Sequence, residues 1–185
     1  KDNSDFSSYL NKAKDQGCDV IFAPVSIAYS TQIVNQAASL NISLPMLGSD
    51  TWDDNMVLQA AKGKDVKVFV STFYAEGGNQ KFDDGIKAYI NGNADAKTTN
   101  GGDDTVSAVT AMGYDVYYVA LEALKAAGST DPAKVMEALP GVTYDGVSGH
   151  IAFDGTGDAI RDTAYIKTID AAAGAWTFVT QQKAS

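Results

Sequence analysis

The sequence is short of the residues on which most catalytic chemistry relies. It holds one cysteine, Cys18, and one histidine, His150, in 185 residues. A single thiol cannot close an intramolecular disulfide, and it excludes paired-cysteine zinc and redox motifs. A hydroxyl or thiol nucleophile usually needs a base such as histidine. His150 lies in the apparent strand "GHIAF" and reads as a strand residue with an ordinary hydrogen bond. Cys18, between a helix-ending glycine and a strand, reads as a small buried side chain. No G-x-S-x-G elbow, P-loop or G-x-G-x-x-G fingerprint occurs. Basic residues are also scarce: 14 against 23 acids, for a net charge of -9. Only Lys62, Lys64 and Lys67 lie close together, and Asp65 interrupts them, so a nucleic-acid partner is disfavoured. No apolar run reaches 18 residues, so none reads as a membrane-spanning helix. The opening "KDNSDFSSYL" is polar and does not resemble a leader; an exported protein would have its leader removed or outside this sequence.

One stretch invites a metal reading. "DGTGDAIRD" sets Asp154, Thr156 and Asp158 at alternate positions, as a calcium loop would. Ala159 stands where that loop needs glycine, and Tyr165 where it needs glutamate. The stretch therefore reads as a hairpin turn, and neither metal nor cofactor is expected.

What is present is ordinary globular material, 45% hydrophobic and 20% charged, enough for one generous domain or two small lobes. "DFSSYLNKAKDQG" reads as a helix capped by Asp5 and ended by Gly17, and "DVIFAPV" as a buried strand. "STQIVNQAASLN" reads as a helix capped by Ser30 and stopped at Asn41. "LPMLGS" and "VKVFVSTF" read as two further strands. Strand–helix alternation of this kind predicts parallel βαβ units in an α/β fold. After Phe73 the character changes. "KFDDGIKAYIN" places Phe82, Ile86, Tyr89 and Ile90 on one helical face, and "KTTNGGDDT" reads as a loop. The longest helix candidate runs from about Asp104 to Ala127, with Val106, Val109, Gly113, Tyr117, Ala120, Leu121 and Leu124 in register. "GSTDPAKVMEAL" restarts a helix with Asp131 as cap and Pro132 in its first turn. The tail reads as β, with a hairpin loop near Ala172–Gly174. Three short upstream strands are a small sheet for so many helices, which predicts that part of their partner surface lies outside this chain.

The sharpest local feature is "PMLGSDTWDD", residues 45–54. Open α/β sheets bind ligands beyond the C-terminal ends of their strands. Asp50 falls there, just past Gly48, while Asp53 and Asp54 suit the start of the next helix. All three acids also read as capping residues. Trp52 beside a lone carboxylate favours a site for a ligand with an ammonium and an apolar part. "PVSIAYS" ends the preceding strand and flanks the same crevice. "STFYAE" ends the third, making Phe73 and Tyr74 candidates for cleft lining or a hinge.

Taken in order, "DFSSYLNKAKDQGCDVIFAPV", "LPMLGSDTWDD", "GYDVYYVALEALKAAGSTDPAKVMEAL" and "GVSGHIAFDGTGD" resemble the periplasmic ligand-binding proteins of the leucine/isoleucine/valine type, solute receptors for ABC importers. The resemblance runs over nearly the whole chain but corresponds to only the latter half to two-thirds of a family member. It implies a type I periplasmic binding protein fold: two α/β lobes joined by hinge crossings, with ligand held between them and no enzymatic activity. It further implies that residues 1–73 belong to the second lobe, 74–155 return to the first, and 156–185 cross back. By the same resemblance Asp50 binds the α-ammonium of an amino acid. Val25, Ser26, Ile27, Trp52 and Tyr74 are then expected to line the side-chain pocket. Where the family often carries a stacking tyrosine, this sequence has Ser26, with Tyr29 slightly later. The groups that hold the ligand carboxylate belong to the part of the first lobe outside this sequence. The implied partners are an amino-acid ligand and an ABC permease, in a periplasmic or extracellular setting with a lipid anchor as one option. A ligand-sensing receptor domain of the same fold and a non-binding fragment are the alternatives.

Overall fold

The computed structural model describes residues 4–161 and 163–183. Its first part alternates as the pattern predicts: α1 (Ser7–Asp15), β1 (Ile21–Phe22), α2 (Ile27–Ser39), β2 (Met46–Gly48), a short 3-10 helix (Asp50–Trp52), α3 (Asn55–Ala61) and β3 (Val68–Thr72). β1, β2 and β3 pair in parallel, with Ile21 opposite Met46 and Met46 opposite Val68. Helices follow: α4 (Gln80–Gly92), α5 (Ala94–Thr99), α6 (Ala108–Ala127) and α7 (Pro132–Ala138). A small antiparallel sheet comes next, of β4 (Tyr144–Gly146), β5 (Gly149–Phe153) and β6 (Ala159–Ile160). β7 (Thr163–Asp170) and β8 (Ala175–Lys183) then rejoin the first sheet, β7 antiparallel to β3, giving the order β1-β2-β3-β7-β8. The sheet is thus larger than its upstream strands suggested, because the tail completes it. The hairpin loop falls at residues 171–174, with Gly174 at φ 66° closing the turn.

The main core lies under this sheet. Val68 and Val70 point inward from β3 and Met46 from β2, against Ile33, Val34 and Ala37 of α2 and Val57, Leu58 and Ala61 of α3. β1 is only two residues long, yet Ile21 packs on that core while Phe22 faces out. Asn41 takes a left-handed conformation (φ 53°) where α2 stops, a geometry asparagine tolerates better than most residues.

Several sequence expectations need correction. α2 starts at Ile27, so Ser30 is not its cap; it is fully buried inside the helix and its Oγ donates to the Ile27 carbonyl (2.7 Å). A serine hydroxyl can bond back to the preceding turn and need not end it. Residues read as a loop at "KTT" form α5, because the Asn93 side chain accepts from Ala96 N (2.9 Å) and nucleates a new turn. α6 begins at Ala108 behind the Ser107 cap and buries Ala108, Ala111, Asp115, Val119 and Ala123. Val109 and Tyr117, expected inward, are more than 60% exposed, and Tyr89 of α4 is exposed as well. Cys18 is exposed in the turn between α1 and β1, not buried. Asp131 caps α7 as expected, accepting from Ala133 N and Lys134 N.

Candidate ligand-binding crevice

β1 and β2 run parallel, so their C-terminal ends open side by side, and the chain leaves them in two adjacent loops. The first carries Val25 and Ser26 into Ile27, the first residue of α2. The second carries Ser49 into the 3-10 helix at Asp50. Thr51 ties them together: its Oγ1 donates to the Val25 carbonyl (2.8 Å) and lies 3.0 Å from the Ser49 hydroxyl. Val25 packs partly on the core, Ile27 is half-buried and Ser26 is exposed.

Gly48 lets the second loop turn back so sharply. A Cβ there would lie 2.3 Å from the Trp52 ring, so the indole folds beneath the strand end only because glycine is present. Trp52 is consequently 0% exposed and belongs to the core, with no face turned to the crevice. Its Nε1 finds no hydrogen-bond partner among the described residues.

The three acids of "PMLGSDTWDD" do three different things. Asp50 is half-exposed at the rim, and its carboxylate accepts no hydrogen bond from any described residue. Asp54 caps α3, accepting from Met56 N (2.7 Å). Asp53 is buried. Its Oδ1 receives the Lys167 ammonium (2.6 Å), and its Oδ2 receives the Thr72 hydroxyl (2.9 Å) and, more loosely, Ala108 N (3.4 Å). A buried carboxylate of this kind is tolerable only because its charge and lone pairs all find partners. Lys167 is equally buried and stands 5.1 Å from the centroid of the Trp176 ring.

Tyr74 is also a core residue. Its hydroxyl donates to Asp83 Oδ1 (2.7 Å), and its ring meets Phe82 edge-on at 5.7 Å. Burial, then the Asp83 carboxylate, push its pKa well above that of a free phenol. Both its ring and its hydroxyl are therefore committed to the mid-chain helices. Phe73 is half-buried beneath the Arg161 guanidinium, 5.1 Å from its ring centroid. Of the residues singled out in the sequence, the structure gathers Val25, Ser26, Ile27 and Asp50 at one rim and places Trp52 and Tyr74 in two different cores.

A cavity of about 360 Å³ lies between the mid-chain segment and β7–β8, lined by Glu76, Asp83, Lys87, Thr105, Lys167 and Trp176. Its charges are already paired: Lys87 with Glu76, Lys167 with Asp53, and Asp83 with Tyr74 and Gly77 N. His150 Nδ1 meets Asp145 Oδ1 at 2.5 Å, an exposed surface pair. Asp154 accepts from Thr156 N, Thr156 Oγ1 and Asp158 N, so its acidic run folds as a turn around its own backbone. Among the described residues no group of three or more histidines, cysteines and acids is placed to hold a metal ion, and no helix is long and apolar enough to cross a membrane.

The residues that sequence reasoning undervalued are Asp53 and Lys167. A signal for Lys167 was available: in "TAYIKTID" it shares the period-two face of Tyr165 and Ile169, so an inward lysine needed a buried acid. Nothing local distinguished Asp53 from Asp54.

Residues 2–175 match the periplasmic binding protein family. No curated protein matches the chain. Among solved structures, the leucine-binding protein LivK of Thermotoga maritima superposes with a TM-score of 0.75 at 26% identity, covering 98% of this chain and 49% of that one. The branched-chain amino acid transporter substrate-binding protein LivJ of Streptococcus pneumoniae, solved with isoleucine, gives 0.67 at 22% identity over 96% and 49%. A solute-binding protein of an ABC transporter from R. palustris, solved with benzoate, gives 0.72 at 15% over 98% and 48%. The chain spans about half the length of these structures. Its order of strands and helices is that of the type I periplasmic binding protein fold, and the chain belongs to the periplasmic binding protein family.

Proposed function

We propose that this chain is part of an extracytoplasmic solute-binding protein of an ABC importer that captures an amino acid between two lobes and delivers it to a membrane permease. In this reading residues 1–73 and 156–185 build one lobe, and residues 74–155 belong to the other. The observation that carries it is Asp50: an acid beyond the end of a parallel strand, half-exposed, with no partner for its charge among the described residues. An unpaired carboxylate at a sheet's rim suits an ammonium group. Val25, Ser26 and Ile27, fastened beside it by Thr51, offer small and branched surfaces for an apolar side chain. Trp52 and Tyr74 act from behind, by holding the rim and the mid-chain segment in shape. Two of the structurally similar proteins are named for leucine or branched-chain amino acids, which agrees with this ligand class. A benzoate-like ligand is disfavoured here, because an aromatic acid without an ammonium would meet Asp50 as a like charge. Capture works by differential contacts with the closed state and needs no bond chemistry.

Calorimetry with a panel of amino acids on the full-length protein, wild type and Asp50→Asn, tests the reading. Losing one member of a buried ammonium–carboxylate pair costs about 3–5 kcal/mol, which corresponds to at least a ~100-fold weaker Kd. Equal affinity in the two proteins overturns the role of Asp50.

A further inference from the structure

We infer that Asp53 is a positioning residue: the pin that sets the angle between the sheet and the mid-chain helices, and that links this angle to events at Asp50. The inference rests on the ligand-binding reading above only for its second half; the first half stands on geometry.

Asp53 bonds three parts of the molecule that are far apart in sequence. Thr72 is the last residue of β3, just before the chain leaves the main sheet. Lys167 lies mid-way along β7, the strand on which the chain returns to the sheet, in register with Val70 of β3. Ala108 is the first residue of α6, the 20-residue helix of the mid-chain segment. One carboxylate thus touches the residue from which the chain leaves the sheet, the strand on which it returns and the longest element between them. The contact with α6 also has an electrostatic component, since a helix presents its free N–H groups and partial positive charge at that end.

The three bonds are not equivalent. Lys167 (2.6 Å) and Thr72 (2.9 Å) sit on neighbouring strands of one sheet and move with it. Ala108 N, at 3.4 Å, is the slack one and the only one that reaches outside the sheet. Rotation of α6 against the sheet therefore shortens or breaks this bond while the other two hold. Upstream, Asp53 is fixed to Asp50 by a single turn of chain: Asp53 N donates to the Asp50 carbonyl and Trp52 N to the Ser49 carbonyl, both at 3.0 Å. Trp52 is wedged in the core between them, so the turn has little freedom to deform locally. A ligand that draws Asp50 shifts Asp53 with it, and Asp53 passes the displacement to the start of α6.

The test uses the full-length protein. Single substitutions leave an unpaired buried charge and risk unfolding, so the informative variant is Asp53→Asn combined with Lys167→Met, which removes both charges together. Spin labels are placed on Gln59→Cys of α3 and Lys125→Cys of α6, both exposed, in a Cys18→Ser background. Pulsed EPR then reads the distance between sheet and helix without ligand. A folded double variant is expected to show a shifted or broader distribution than the parent; an unchanged distribution overturns the pin. Calorimetry with L-leucine as probe reads the coupling, with at least a tenfold loss of affinity expected in the double variant. Wild-type affinity alongside an altered distribution overturns the link to Asp50. Failure of the ligand reading is separate: it appears as Asp50→Asn binding like wild type, and it leaves the EPR result standing.

Discussion

The main sheet with α1, α2 and α3 gathers fifteen buried apolar residues into one continuous core, whereas the mid-chain helices and the small sheet share clusters of five and four. The difference is one of direction as much as of size. α2 and α3 turn Ile33, Val34, Val57 and Leu58 inward, so their large apolar residues do the packing. α6 buries three alanines, one valine (Val119) and an aspartate, and leaves Val109, Val116 and Tyr117 outside. Its inward side is held by polar fastening: Asp115 accepts from Val147 N, Ser148 N and Ser148 Oγ, and Gly146 is the residue with no Cβ to collide with that carboxylate. One region thus rests mainly on buried area, and the other on smaller apolar clusters supplemented by specific polar bonds.

The contrast can be broken most forcefully where the two regions meet. Lys167→Met should cost about 3–5 kcal/mol, because the Asp53 carboxylate stays buried without its cation. Adding Asp53→Asn should recover much of that loss, and chemical denaturation measures both. If the single variant is as stable as wild type, the junction is not held by charge. Within the sheet region, Trp52→Ala should cost about 3–5 kcal/mol through the cavity left beneath Gly48, read as a lowered denaturation midpoint.

In the mid-chain region the polar fastening should dominate. Tyr74→Phe should cost about 1–3 kcal/mol by leaving one oxygen of the buried Asp83 short of a donor. The same bond predicts a pH effect. The folded-state pKa of Tyr74 is raised, so the phenol holds its proton more tightly in the folded state, and the resulting stabilisation is fully present below the ordinary phenol value of about 10. Stability should then fall as pH rises above that value, and phenolate absorbance should show one tyrosine titrating only with unfolding. Tyr74→Phe should flatten this alkaline decline; an identical decline in both proteins removes Tyr74 as its cause. The smallest effect sharpens the comparison best. Val116→Ser, on the exposed face of α6, should change the stability of this 185-residue chain by no more than about 0.5 kcal/mol, whereas Val57→Ala in the sheet core should cost several times as much. If Val116→Ser costs as much as Val57→Ala, the helix face is already covered.

What the sequence disclosed follows from where the information is local. β3 and the tail hairpin were legible because β-branched runs and a glycine turn carry their own signals, and β2 because a short apolar run ends at Gly48. The cap at Asp131 was legible for the same reason. The start of α2 was misplaced by one turn, since Ser26 and Ser30 are equally plausible caps and only the packing of Ser30 against its own helix separates them. The face of α6 was read partly wrong: Leu121 and Leu124 are half-buried, but Val109 and Tyr117 are exposed, because periodicity locates an apolar stripe but cannot say whether anything covers it. The acidic cluster shows the same limit: spacing placed Asp50 and Asp54 sensibly, while the pairing of Asp53 with a lysine 114 positions away depends on the tail returning to the sheet.

The hydroxyl bridge from Thr51 to the Val25 carbonyl makes the rim a single stiff lip assembled from two stretches of chain. Substitutions of Ser49 and Thr51, which share this bonded network, will therefore not combine independently. If the proposed ligand role of this rim holds, residues 24–27 and 48–54 form one unit for any exchange with a relative, Thr51 included.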